Sequence, residues 1–128
     1  MMNAAKTVMI VDDEPGVLHL TARILEANDY RAIKAKNGQE CLAKLEEEVL
    51  PDVILLDIMM PGLGTMEILS AIEKDSRLSE VKIILLSAVH LPEAKEKGLL
   101  ERKQVVDFIE KSFTTRRMLD AIEKALTL

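Results

Sequence analysis

Aromatic side chains are nearly missing from this chain. Tryptophan is absent, and the aromatic share is 2% of 128 residues, so aliphatic side chains must fill whatever core forms. A single cysteine, Cys41, excludes an intramolecular disulfide. No apolar run reaches the roughly 18 residues of a membrane span, and none has the flanks of a secretory signal, so no membrane insertion and a cytoplasmic location are expected. Positive charge is in deficit. The 17 lysines and arginines against 22 acids leave a net charge of −5, without the basic surface that displaces counterions from phosphates. Direct nucleic-acid binding is therefore not expected. Repeats, low-complexity tracts and Pro/Gly/Ser-rich linkers are also lacking. The expectation is one domain over 1–128, with 1–6 as a flexible N-terminus and no output domain, long enough to bury a core without staples or metals.

What is present is a series of apolar runs that end on charged or hydroxyl residues. Val53-Ile54-Leu55-Leu56 runs straight into Asp57, the pattern of a central parallel strand covered on both faces. Val8-Met9-Ile10-Val11 stops at Asp12-Asp13-Glu14-Pro15, and Pro15 suits the first turn of a helix with Val17, Leu18, Ile24 and Leu25 on its apolar side. Asn28-Asp29 ends that helix. Arg31 to Ala35 alternates, as a strand at or near a sheet edge does. Asn37-Gly38 opens a second helix with Cys41, Leu42, Leu45 and Val49 inward. A third helix over about Thr65 to Lys74 turns Met66, Leu69 and Ile72 to one face.

Val81 to Leu86 forms a fourth strand ending on Ser87, followed by a short charged helix over Leu91 to Glu101 that Gly98 weakens. Val105 to Ile109 is the fifth strand, running to Glu110-Lys111-Ser112. Met118, Leu119, Ile122, Ala125 and Leu126 then trace a helical stripe. Strands alternating with helices over short loops predict an α/β fold, a flavodoxin-like doubly wound (βα)5 parallel sheet in the order 2-1-3-4-5.

In such a sheet Asp12, Asp13, Asp57, Ser87 and Lys111 share the carboxyl edge, where open α/β sheets bind ligands. Hard oxygen donors of this kind suit Mg²⁺, with Asp13 and Asp57 as carboxylate ligands and Asp12 adding negative charge beside them. A carboxylate can also attack phosphorus to give an acyl phosphate, a reaction that needs cations around the transferring group, here the metal and Lys111. Taken singly, each residue has an ordinary reading. Acids favour helix N-termini by ~0.3–1 kcal/mol, hydroxyls cap strands and helices, a lone lysine is solvated, and Phe108 is core. Their joint placement at separate strand ends is what favours function. Cys41 reads as core, and His19 and His90 lack partners spaced for a metal and carry no assigned role.

These residues resemble the receiver domains of two-component response regulators, including the stand-alone chemotaxis type, over essentially the whole chain. The resemblance implies that Asp57 is the phosphoacceptor, and that Asp12, Asp13, Asp57 and the backbone carbonyl of Met59 bind Mg²⁺. It also implies that Ser87 and Lys111 contact the phosphoryl oxygens, and that Ser87 and Phe108 form the switch. A sensor histidine kinase or phosphotransfer protein would be the donor. A downstream protein partner would read the face made by the fourth helix, fifth strand and fifth helix. The chain departs from the family at Ser112, where proline usually follows the lysine, and at Gly64-Thr65, where many members carry Asp-Gly. Met59 and Val89 occupy positions that tune dephosphorylation in the family, and both are apolar, which predicts a slow reaction. Two other readings are a receiver-like module that is never phosphorylated and an aspartate-based phosphatase. The second is weakened because Met59 stands where such enzymes commonly carry another acid.

Overall fold

The computed structural model describes residues 5–47, 50–58, 64–88, 92, 98–111 and 113–128. In chain order these are β1 (Thr7–Val11), α1 (Pro15–Ala27), β2 (Arg31–Ala35), α2 (Gly38–Leu45), β3 (Val53–Asp57), α3 (Thr65–Lys74), a 3-10 turn (Ser76–Leu78) and β4 (Lys82–Ser87). A helical stretch at 98–100, labelled α4, precedes β5 (Val105–Glu110) and α5 (Thr115–Leu126). The strands form one parallel sheet in the order β2-β1-β3-β4-β5. This is the flavodoxin-like order expected from the alternation of apolar runs, and it places β2 and β5 at the edges.

Side chains alternate across each strand, so two cores form, one on each face. Met9, Val11, Ile54, Leu56, Ile83 and Leu85 face Cys41 and Leu45 of α2 and Ile68, Leu69 and Ile72 of α3. Val8, Ile10, Val53, Leu55, Ile84 and Leu86 face Leu18, Ala22 and Leu25 of α1 and Met118, Ala121, Ile122 and Ala125 of α5. Every residue of β1 and β3 is buried, which is why these strands carry no polar alternation.

Helix ends follow local chemistry. Pro15 starts α1, the Asn37 side chain accepts a hydrogen bond from the Glu40 amide at 2.8 Å to start α2, and the Thr114 hydroxyl accepts one from the Arg117 amide at 3.1 Å to start α5. After α1 the chain turns through Asp29 in the left-handed region, at φ 68°.

Several details differ from the sequence reading. Met66, expected inward, is 50% exposed, and Ile68 is buried together with Leu69 and Ile72. At 100° per residue, Met66 lies far round the helix from the mean direction of those three. Between Ile83 and Ile84 the register of β4 with β5 shifts, so that Val105 pairs with Ile83 while Asp107 pairs with Ile84. The extra residue turns Phe108 onto the α2/α3 face and sends Ile109 to the α1/α5 face. Of the residues expected to fray, 1–4 lie outside the described residues, while the Lys6 carbonyl accepts the Arg31 amide at 2.9 Å. Val49 and most of the expected Leu91 to Glu101 helix also lie outside them.

Candidate functional site

The carboxyl edge is assembled by register. Val11 pairs with Leu56, which brings Asp12, the next residue, level with Asp57 at the end of β3. Asp57 pairs with Leu86, Ser87 pairs with Glu110, and the Lys111 amide donates to the Ser87 carbonyl at 2.6 Å. The chain thus brings together Asp12, Asp13, Asp57, Ser87 and Lys111 as expected from the strand ends. Ser87 is fully buried at its strand end.

The acids differ in exposure. Asp12 is 0% and Asp57 3% exposed, whereas Asp13 lies on the exposed rim. One carboxylate oxygen from each of the three falls within 4.8 Å of the others. Asp12 Oδ1 accepts the Glu14 amide at 2.9 Å, and its Oδ2 receives no well-formed hydrogen bond among the described residues but lies 2.5 Å from the Lys111 ammonium. The same ammonium donates to Asp57 Oδ2 at 3.0 Å. Burial pulls the Lys111 pKa down, but its close contacts with the Asp12 and Asp57 carboxylates and their charges outweigh that and leave it raised. Lys111 is therefore a cation throughout the physiological range, aimed into the pocket although Ser112 follows it.

The donor set fits Mg²⁺. Ligand oxygens on an octahedral ion at ~2.1 Å stand at most about 4.2 Å apart, close to the spacing of these carboxylates. The buried Asp12 Oδ2 with an ionic contact but no aligned donor is a lone pair suited to a hard cation, and exposed Asp13 leaves the rim open to water. The Met59 carbonyl, expected as a further ligand, lies outside the described residues, as do Val89, His90 and Ser112.

Phe108, expected as the switch aromatic, is buried against the α2/α3 face core. The Thr65 hydroxyl donates to the Ile58 carbonyl at 3.4 Å and so ties the start of α3 to the residue after Asp57. A hydroxyl at the head of a helix was the only trace of this contact in the sequence.

A parallel sheet of this order, with an acidic pocket at its carboxyl edge, defines a flavodoxin-like α/β domain. Residues 8–123 match the family model of the response regulator receiver domain, and the chain belongs to that family. It is 34% identical over 123 residues to the chemotaxis protein CheY of Listeria monocytogenes, covering 92% of this chain and 96% of that protein. It is 32% identical over 121 residues to the phosphate regulon transcriptional regulatory protein PhoB of Pseudomonas aeruginosa, covering 94% of this chain and 52% of PhoB. The chain thus spans about half the length of that relative. Among solved structures, a CheY-like response regulator receiver domain protein from Methanospirillum hungatei superposes with a TM-score of 0.76 at 37% identity, covering 95% of this chain and 92% of that one. Receiver domains of two-component response regulators are signalling modules that bind Mg²⁺ at an acidic pocket and interact with histidine kinases and downstream effectors.

Proposed function

We propose that this receiver is a phosphorylation switch in which Asp57 takes a phosphoryl group from the phosphohistidine of a sensor histidine kinase or phosphotransfer protein. An Asp57 carboxylate oxygen attacks phosphorus, the P–N bond of the donor breaks, and an acyl phosphate forms on Asp57. The observation that carries this reading is the Lys111 ammonium, held between Asp12 at 2.5 Å and Asp57 at 3.0 Å in a pocket of three clustered carboxylates. A lone surface lysine would have no reason to occupy that position.

Asp12, Asp13, Asp57 and the Met59 carbonyl would hold Mg²⁺, which when bound neutralises charge on the transferring phosphoryl group. Lys111 exchanges its contact with the Asp57 carboxylate for one with a phosphoryl oxygen, and the Ser87 hydroxyl donates to another. The added charge shifts Ser87, and Phe108, already packed inward, holds the altered surface in place. A protein partner then reads the face formed by α4, β5 and α5. The receiver acts as one domain, in the cytoplasm and through protein partners. No helix among the described residues is long and apolar enough to cross a membrane.

Incubation with Mg²⁺ and a small acyl phosphate, followed by intact-mass measurement, tests the reading. One phosphoryl adduct that Asp57→Asn abolishes is expected. Absence of any adduct would leave a passive interaction module, and rapid turnover of varied phosphate esters would indicate a phosphatase. Because neither Met59 nor Val89 can orient a water, the adduct is expected to be long-lived. Introducing Met59→Asn and Val89→Glu together should shorten its half-life several-fold, and little change would count against this account.

A further inference from the structure

We propose that the groove between α1 and the β2–α2 edge is a binding site for a phosphate-class oxyanion, separate from the acidic pocket. Three lysines, Lys34, Lys36 and Lys44, line this groove of about 340 Å³ together with His19. Two carboxylates, Asp13 and Glu40, border it, so positive charge is in local excess on a protein whose net charge is −5.

The arrangement follows from the fold. Lys34 pairs with Ile10, whose side chain lies on the α1/α5 face, so Lys34 projects to the α1 side and meets His19. Its ammonium lies 3.1 Å from His19 Nδ1, within hydrogen-bond distance. From the other side of the sheet edge, the Lys44 ammonium donates to the Lys34 carbonyl and stands 3.6 Å from Glu40 Oε1. Glu40 also accepts the Lys36 amide at 3.3 Å. The carboxylate of Glu40 is therefore already committed to Lys44 and to backbone.

Among the described residues, Lys34 and Lys36 form no ion pair with any carboxylate. Lys34 has the His19 imidazole, not a carboxylate, as its side-chain partner, and an ammonium has three donors to place. Pro15 and buried Leu18 supply an apolar lining, which strengthens charge interactions beside it. Ammonium groups without a carboxylate partner among the described residues, an imidazole and an apolar lining describe a site for an oxyanion with several acceptor oxygens. A volume of about 340 Å³ exceeds what inorganic phosphate needs, and admits a phosphate group carrying a small organic substituent. Asp13 borders both the groove and the acidic cluster, so the bound anion would sit next to the proposed phosphoacceptor pocket without using it.

The test is a titration of isotopically labelled full chain with inorganic phosphate, at ionic strength held constant with potassium chloride and without divalent ions. A parallel titration uses glycerol phosphate as a monoester. Saturable shifts of the His19 imidazole and of the Lys34 and Lys36 amides are expected, and the tighter of the two ligands identifies whether the free ion or an organic phosphate is the natural occupant. Lys34→Gln combined with Lys36→Gln should weaken binding roughly tenfold, equivalent to ~1.4 kcal/mol, with the thermal midpoint unchanged. Shifts that grow linearly with concentration, equal affinity in the double variant, or binding that Asp57→Asn abolishes would each overturn the proposal. None of these outcomes depends on whether Asp57 is phosphorylated, so the two readings fail independently.

Discussion

Lys111 carries one positive charge against three clustered carboxylates, so the pocket holds a net negative charge whenever no other cation is bound. Two unit charges no more than 4.8 Å apart repel by at least about 3.5 kcal/mol at an effective dielectric near 20. Asp13→Asn removes the most exposed of them and is expected to raise the thermal midpoint of the metal-free protein. Added Mg²⁺ should stabilise the parent chain more than this variant, which calorimetry with and without magnesium chloride would show. A second residue-scale prediction concerns alkaline pH. Burial pushes the Cys41 thiol up to about 12 from its ordinary value near 9.0, and Lys111 is also raised. In both cases the folded chain holds its proton more tightly than the unfolded one. Their stabilising contributions are thus whole below the ordinary values and are lost as pH rises from about 9 toward 12. Urea unfolding should show stability falling over that window, and Cys41→Ala should flatten the fall.

Between elements, buried and exposed polar contacts differ in weight. The buried Gln104 amide donates to the carbonyls of Leu78 at 2.7 Å and Val81 at 3.0 Å, tying the start of β5 to the turn before β4. Gln104→Leu would take the side-chain donor from the Val81 carbonyl and leave the Leu78 carbonyl with only the Val81 amide, at 3.0 Å, and a loss of ~1–3 kcal/mol in urea unfolding is expected. The nearby Arg102–Glu73 pair at 2.7 Å is partly exposed, so Arg102→Ala should cost no more than ~1 kcal/mol. Strand ends were the most legible features of the sequence, because a fully buried strand is a continuous apolar run and Asp57 or Ser87 interrupts it sharply. Helix faces were less so. Met66 and Ile68 are both apolar and two positions apart, and only the neighbouring sheet decides which one turns inward. The shift between Ile83 and Ile84 left no mark in composition, since it depends on how β5 meets β4. The charged groove escaped notice for the same reason: His19, Lys34 and Lys44 are separated along the chain and meet only across α1, β2 and α2.

For the molecule as a whole, the central strands hold the deepest burial and the edges the least. Amide exchange should therefore be slowest in β1, β3 and β4 and faster in β2, whose side chains are mostly only half covered. Rapid exchange in β3 would contradict the layered arrangement. The strand order has a further consequence for how the pocket comes into being. Asp12, Asp13 and Asp57 are synthesised before Lys111, and β5, which delivers Lys111, is the last strand to join the sheet in chain order. On the ribosome the three acids therefore precede their cation. Closing β1 onto β3 brings like charges together with nothing yet to offset them, and docking of β5 and α5 supplies the offset. A nascent chain halted before β5 carries the acids without the lysine, so the ion pair reports that the last strand has arrived.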